Sequence, residues 1–234
     1  MSDPILALLQ SIRSDMSQVE VISQNVANIT TPGYKTEKSS AVSFHHLVVN
    51  KGKPAINTML DMSQGQLAPT ENSSDLAIQG AGFFVVQDNG GQSLLLTRSL
   101  QLSTNSDGLL TTPDGKVIEG EGGPIVFQGG HLFVNEQGVV YENDNVIGQL
   151  KLVDIDNESL LKRRPAGRFY TVEENMIAAT NFQVREGFLE QSNVSSSEQM
   201  VKLIELTKHV ESSQRALVTL DQMLESGINK IGQR

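Results

Sequence analysis

Three segments of this 234-residue chain carry residue types that can do chemistry, and each fails on spacing. Gly80-Ala81-Gly82 opens like a dinucleotide-binding turn, where glycines let the backbone approach a pyrophosphate, but Val85 stands where the third glycine belongs. Asp154-Ile155-Asp156-Asn157 begins like a calcium loop built from oxygen ligands. Its glycine position holds Ser159 and its bidentate-glutamate position holds Pro165, so a solvated turn is expected. His45-His46 would point to opposite faces of a strand, which suits no single metal, and the pair reads as loop histidines. His131 and His209 complete the set without ligand spacing, and no P-loop or nucleophile elbow occurs. Carboxylates are plentiful, but nothing in the sequence assembles two of them into an acid–base pair. Asn28-Ile29-Thr30 and Asn193-Val194-Ser195 match glycosylation sequons, yet both lie at helix boundaries where capping is the expected role. No catalytic residue, no metal ligand and no cofactor are expected; the chain reads as a structural protein, not an enzyme.

Composition narrows the partners. A net charge of −9 with no basic stripe removes the electrostatic footprint of a nucleic-acid binder. Hydrophobic residues at 38% and charged residues at 19% describe an ordinary globular chain. No run approaches the length of a membrane-spanning helix, so direct membrane insertion is not expected. The first residues carry Asp3, Arg13, Asp15 and Glu20 and lack the basic start and apolar run of a cleaved signal peptide. Cysteine is absent, which excludes disulfides and thiolate sites.

Elements that would position any function fall into three regions. All but two of the 20 glycines lie between Gly33 and Gly187, so the ends read as helix and the middle as turn-rich structure. Asp3-Pro4 is a helix start, and Ile5, Ile12, Val19 and Val26 recur every seven residues, with Leu8, Leu9, Met16, Ile22 and Ile29 beside them. Thr31-Pro32-Gly33 stops that helix in a type II turn. At the other end, Ser195 to Glu198 forms a capping box, and Leu203, Val210, Leu217, Leu224 and Ile231 repeat at seven with Met200, Leu206, Leu220 and Ile228 in support. Glu198–Lys202 and Glu211–Arg215 are favourable pairs one turn apart. A strict seven-residue repeat favours a left-handed coiled-coil seam.

Between the helices, short apolar runs include Leu76 to Ile78, Phe83 to Val86, Leu94 to Leu96, Lys116 to Ile118, Ile125 to Phe127 and Val146 to Ile155. They alternate with turns such as Pro113-Asp114-Gly115 and Glu136-Gln137-Gly138. An antiparallel sandwich or partly closed barrel over 76–187 is expected. The fold class is α+β, with a discontinuous coiled-coil domain from both termini and a central antiparallel all-β domain. Its segments are residues 1–35, a connecting segment 36–75, the β domain 76–187 and a C-terminal helix 188–234. Paired alone, the two helices would leave apolar side chains such as Leu8, Ile22, Met200 and Ile204 uncovered, and each is worth about 1.5–3 kcal/mol when buried. The surplus is relieved either by assembly or by folding the helices back on the sheet, and periodicity leaves both open.

Two junctions carry a resemblance. Ala27-Asn28-Ile29-Thr30-Thr31-Pro32-Gly33-Tyr34-Lys35 closely resembles the segment that closes the first helix in the bacterial flagellar rod and hook family. Gly187-Phe188-Leu189-Glu190-Gln191-Ser192-Asn193-Val194 is similar to that family's second signature, which also precedes a long helix. Asp75 to Val86 and Leu96-Thr97-Arg98 look like its entry into a β domain. Gln24 and Val26 depart mildly from the usual asparagine and leucine. Within the family, Gly120 to Ile125 and Gly148 to Val153 look most like proximal rod members, with distal rod members as close rivals.

The resemblance implies a structural rod subunit in the flagellar basal body, exported through the flagellar type III apparatus without a cleaved signal. It implies partners in copies of itself and in proximal and distal rod proteins, polymerised helically into a torque-transmitting shaft across the periplasm. The assembly interface would be Ile5, Ile12, Val19, Val26, Leu203, Val210, Leu217 and Leu224. The motif residues are Ala27, Asn28, Thr31, Pro32, Gly33, Tyr34, Lys35, Leu189, Glu190, Ser192 and Asn193. Competing readings are a distal rod or hook-type paralogue, a self-trimerising adhesin, and a secreted sugar-binding or enzymatic β module.

Overall fold

A computed structural model of the chain describes residues 4–40, 57–88 and 93–232. Helix α1 spans Pro4–Ala27 and helix α2 spans Ser196–Gly232, with antiparallel strands between them, so the fold is α+β. The chain divides into two compact units. A helical unit holds α1, α2 and the strand Glu37–Ser40; a β unit holds Asn28–Thr36 and Leu60–Val194.

In the helical unit α1 packs along α2. Asp15 meets His209 at 2.7 Å and Asn25 meets Gln199 at 3.4 Å, so the partner positions run in opposite directions and the helices are antiparallel. Along α2, Gln199, Leu203, Leu206, Val210, Ser213, Leu217 and Leu220 are buried or half-buried at alternating steps of four and three, with Glu211 half-buried beside that line. On α1 the most buried positions are largely polar: Ser14, Asp15 and Asn25, with Ile22. Ile22 is only 6% exposed and Leu8 is half-buried, contrary to the expectation that both stay uncovered. The contact line on α1 runs through Asp15, Ile22 and Asn25, beside the apolar stripe instead of along its middle. Lys202 pairs with Glu198 at 2.7 Å as its spacing foretold, whereas Glu211 takes Lys208 at 3.1 Å.

α1 ends at Ala27, just before Ile29, the last residue of its apolar stripe. The Asn28 carbonyl accepts the Thr31 N–H at 3.1 Å, and Tyr34 N–H bonds Thr31 O at 3.3 Å around Pro32-Gly33, with Gly33 at φ 70°. That hydrogen bond and positive φ are what a type II turn requires.

The β unit is organised on an open six-stranded sheet. Its order across is Lys162–Arg164, Arg168–Tyr170, Leu94–Thr97, Phe83–Gln87, Leu152–Ile155 and Met176–Ala178. Phe83, Val85, Leu96, Val153 and Phe169 fill one face. Phe84, Val86, Leu95 and Leu152 join Leu76, Ile78, Leu100, Val140 and Val184 on the other. Burial on both faces explains why these strands read as unbroken apolar runs. Two three-stranded sheets adjoin it, one ordered Phe182–Glu186, Asp75–Gly80 and Ser99–Gln101, the other Leu132–Val134, Val139–Glu142 and Asn145–Gln149. The registered pairs are antiparallel, and among the described residues the main sheet ends on two edge strands, Lys162–Arg164 and Met176–Ala178, in place of a closed barrel.

Three expectations change. The run Val146 to Ile155 is two strands in different sheets, because Leu150 between them turns its N–H to Gly138 O at 2.8 Å. Lys116 to Ile118 and Ile125 to Phe127 supply only isolated bridges. The connecting segment is not a simple linker: Leu67–Pro69 pairs with Phe188–Glu190. His45 and His46 lie outside the described residues.

Candidate functional site

The two junction motifs, far apart in sequence, meet in the β unit, and Glu190 is the residue on which they close. The register Leu67↔Glu190 lays the C-terminal junction beside strand Leu67–Pro69. Glu190 has no exposed surface. Its Oε1 accepts from Lys35 Nζ at 2.7 Å and from Gly65 N–H at 3.0 Å, and its Oε2 accepts from Arg98 Nε at 2.9 Å. Its main chain is held as tightly: Gly33 N–H donates to Glu190 O at 2.7 Å, and Glu190 N–H donates to Ser99 Oγ at 2.9 Å. One residue therefore ties the helix-closing turn, the strand at 67, the Arg98 corner and the approach to α2.

The cations are saturated in turn. Lys35, 1% exposed, also donates to Ser63 O at 2.6 Å and Met62 O at 3.4 Å. Arg98 donates to the carbonyls of Gly82 and Gly80 and stacks over Phe83 at 5.7 Å. Gly80 and Gly82, which open the failed dinucleotide motif, thus present carbonyls to an arginine, not amides to a phosphate. Burial holds the Lys35 ammonium below the usual lysine range and the neighbouring Arg98 charge adds to this, while Glu190 and Asp61 pull the other way. A cluster sealed this way cannot reach a substrate, and its effect is to fix geometry.

Asn193 makes the second tie. Its Oδ1 accepts from Thr36 N–H at 2.7 Å and Thr36 Oγ1 at 2.8 Å, and its Nδ2 donates to Asp61 O at 2.8 Å and Ser63 O at 3.0 Å. The expected capping role is therefore replaced by a cross-link between segments. Asn28 Oδ1 likewise accepts from Thr31 Oγ1 at 3.2 Å inside its own turn. Tyr34 is buried under the Arg163 guanidinium, 5.3 Å above its ring and hydrogen-bonded to its hydroxyl.

Of the remaining motif residues, Gly33 is buried, Thr31, Leu189 and Ser192 are half-buried, and Ala27 and Pro32 are exposed. Apart from Ala27, which ends α1, the motif residues thus fall in the β unit and not with the helices, where the bounds 1–35 and 188–234 placed them, because their hydrogen bonds go to residues 61–65 and 98–99. Sequence reading missed Ser63, Gly65, Ser99 and Arg163. A lone glycine beside a strand signals close backbone approach, and Gly65 fits: a Cβ there would lie 1.9 Å from Gln191 O.

The proposed interface residues sit on the helical unit. Ile12, Val19, Val26, Leu203, Val210 and Leu217 are half-buried. The side chains of Ile5 and Leu224 lie outside the described set. Met200 and Ile204 are exposed, as are Leu6, Leu9 and Met16. His209, read only as a stray histidine, bonds a nearly buried Asp15 carboxylate.

One peripheral pair responds to acid. Arg168 grips Asp114 through two N–H bonds at 2.7 and 2.6 Å, and Thr112 Oγ1 adds another at 2.7 Å. The Arg168 bonds hold the carboxyl at about 2, against an ordinary 3.8, with partial burial opposing them. A carboxyl lowered by folding stabilises fully above its unfolded value and loses that contribution as pH falls toward its folded one. Asp114→Asn is therefore expected to flatten the acid limb of a urea midpoint-versus-pH curve between about pH 4 and pH 2. The difference should stay under about 1 kcal/mol because the carboxylate is 48% exposed. Superimposable limbs would show the pair to be inert.

Comparison with known proteins shows what the chain resembles. Residues 185–231 match the C-terminal family model of flagellar basal body rod FlgEFG proteins, and residues 77–145 match the flagellar hook protein FlgE/F/G D1 domain. The flagellar basal-body rod protein FlgF of Caulobacter vibrioides is 28% identical, with 92% of each chain covered. FlgF of Salmonella typhimurium is 27% identical over 95% of each chain. A rod protein FlgG of Buchnera aphidicola is 28% identical over 88% of this chain and 91% of its own. The chain is thus similar, in two matched regions and along most of its length, to flagellar basal-body rod and hook proteins. Among these it is most like the structural basal-body rod proteins named FlgF.

Proposed function

We propose that this protein assembles helically, with copies of itself and with proximal and distal rod proteins, into the shaft that transmits motor torque. The observation that carries this reading is the apolar surface left on the paired helices. Leu6, Met16, Val201, Ile204, Val218 and Met223 are each more than half exposed. Covering such side chains stabilises association by about 1.5–3 kcal/mol each. The four-and-three burial spacing on α2 supports a coiled-coil seam between the termini, which neighbours would extend. Export through the flagellar type III apparatus without a cleaved signal, and residence in the periplasmic span of the rod, belong to the same reading.

Deleting residues 200–234 tests it. That truncation keeps Glu190 and Asn193, so the β unit should stay folded and monomeric. A strain carrying only the truncated protein should be non-motile, with no stable rod in purified basal bodies. Normal swimming would sink the reading.

A further inference from the structure

The main sheet is open, and its two edges carry opposite charge. At one edge, residues 162–168 read Lys-Arg-Arg-Pro-Ala-Gly-Arg in a chain whose net charge is −9. Arg163 is half-buried against Tyr34 and Arg168 against Asp114, whereas Lys162 and Arg164 are exposed, Arg164 with its guanidinium 5.3 Å over the Tyr170 ring. The tip is held in place. Gly167 sits at φ +66°, and a Cβ there would meet Pro32 O at 2.5 Å. At the opposite edge, strand Met176–Ala178 is preceded by exposed Glu173 and Glu174. Asp156 N–H donates to Asn175 O at 3.1 Å, which brings a third exposed carboxylate to that corner. Val172 and Ile177, 46% and 48% exposed, add apolar surface next to these carboxylates in sequence.

Distance keeps these charges from neutralising one another within a molecule. Six strands at ~4.8 Å separate the edges by about 24 Å, several Debye lengths at physiological salt. Charged residues on an edge strand ordinarily block pairing between copies. Two edges of the same sign do that; edges of opposite sign attract each other between copies. A contact joining two different patches is head-to-tail, and when its rotation does not close a ring it builds a helix.

We infer that the Lys162–Arg164 edge of one copy docks on the Asp156, Glu173, Glu174 corner of a second copy, a contact made by the β unit in addition to the terminal helices. The inference rests on the rod-subunit reading above. Charge reversal of full-length protein tests it, with self-association followed by sedimentation. Lys162→Glu with Arg164→Glu, or Glu173→Lys with Glu174→Lys, should each weaken self-association about tenfold or more, since like charges then face each other. Mixing the two reversed proteins should restore it, because each then offers the other a complementary edge. About 0.5 M salt, which shortens the Debye length to roughly half, should weaken the wild type. Thermal melts matching wild type exclude misfolding as the cause.

Unchanged association in both reversals, or no rescue on mixing, would overturn the edge contact. The truncation at residue 200 separates that failure from a failure of the rod reading. If the reversed strains swim normally while the truncated strain does not, the edge contact falls and the rod assignment stands.

Discussion

Glu190→Ala is expected to destabilise the β unit by about 3–5 kcal/mol, because it leaves Lys35 and Arg98 charged in a sealed interior. The change removes three hydrogen bonds from one carboxylate, those donated by Lys35, Gly65 and Arg98. The larger effect is electrostatic. With Glu190 gone, two cations already costly to bury face each other. A domain's whole stability is only about 5–15 kcal/mol, so much of the native population would be lost at ordinary temperature.

The sign of a second substitution separates charge from packing. Lys35→Met combined with Glu190→Leu removes a cation and its partner together. Replacing a buried ion pair with apolar groups of similar size is often near neutral. The double variant should therefore be more stable than Glu190→Ala alone, although it carries more changes. Urea unfolding of the purified full-length protein, followed by circular dichroism, measures both. A loss below about 1 kcal/mol for Glu190→Ala would mean that water or a rearranged side chain takes over the carboxylate's role.

Leu217→Asp is expected to abolish swimming while leaving the β unit's melting midpoint unchanged. Leu217 is half-buried on the contact line of α2, between Ser213 and Leu220. An aspartate there forfeits about 1.5–3 kcal/mol of apolar burial and adds the cost of desolvating a charge. Among the described residues, the two β-unit cores are built from residues 76–184. Motility assays and basal-body purification read the assembly defect, and calorimetry of the isolated protein reads the β unit. A lowered β-unit midpoint would instead show that α2 folds back on the sheet, the alternative that periodicity left open.

Much of this architecture follows from local rules. A helix stripe depends only on residues three and four apart, so both terminal helices are legible. Pro4 at the first turn of α1 and Ser195 before α2 mark the two starts nearly to the residue, whereas α1 ends at Ala27, short of the Pro32-Gly33 turn. The Glu198–Lys202 pair is legible for the same reason. The continuous runs Phe83 to Val86 and Leu94 to Leu96 announce strands buried on both faces. Strands such as Lys162–Arg164 escape notice because an edge strand buries too little to need an apolar pattern.

What only the tertiary structure decided is pairing between distant segments. The junction motifs show in sequence as two signatures about 155 residues apart, with nothing to say that Lys35 and Glu190 share a hydrogen bond. Nor does the sequence say that Arg98 completes the cluster, or that Gly65 must lack a Cβ to admit Gln191. Asn193 looks like a helix cap until Thr36 and Asp61 are found against it. The same holds for the line along which α1 meets α2. Periodicity gives a helix its stripe, but the exact contact face depends on the partner's surface, and here it runs through Asp15 and Asn25 as well as Ile22. Local interactions are written in spacing along the chain; closure of the β unit depends on contacts that no spacing records.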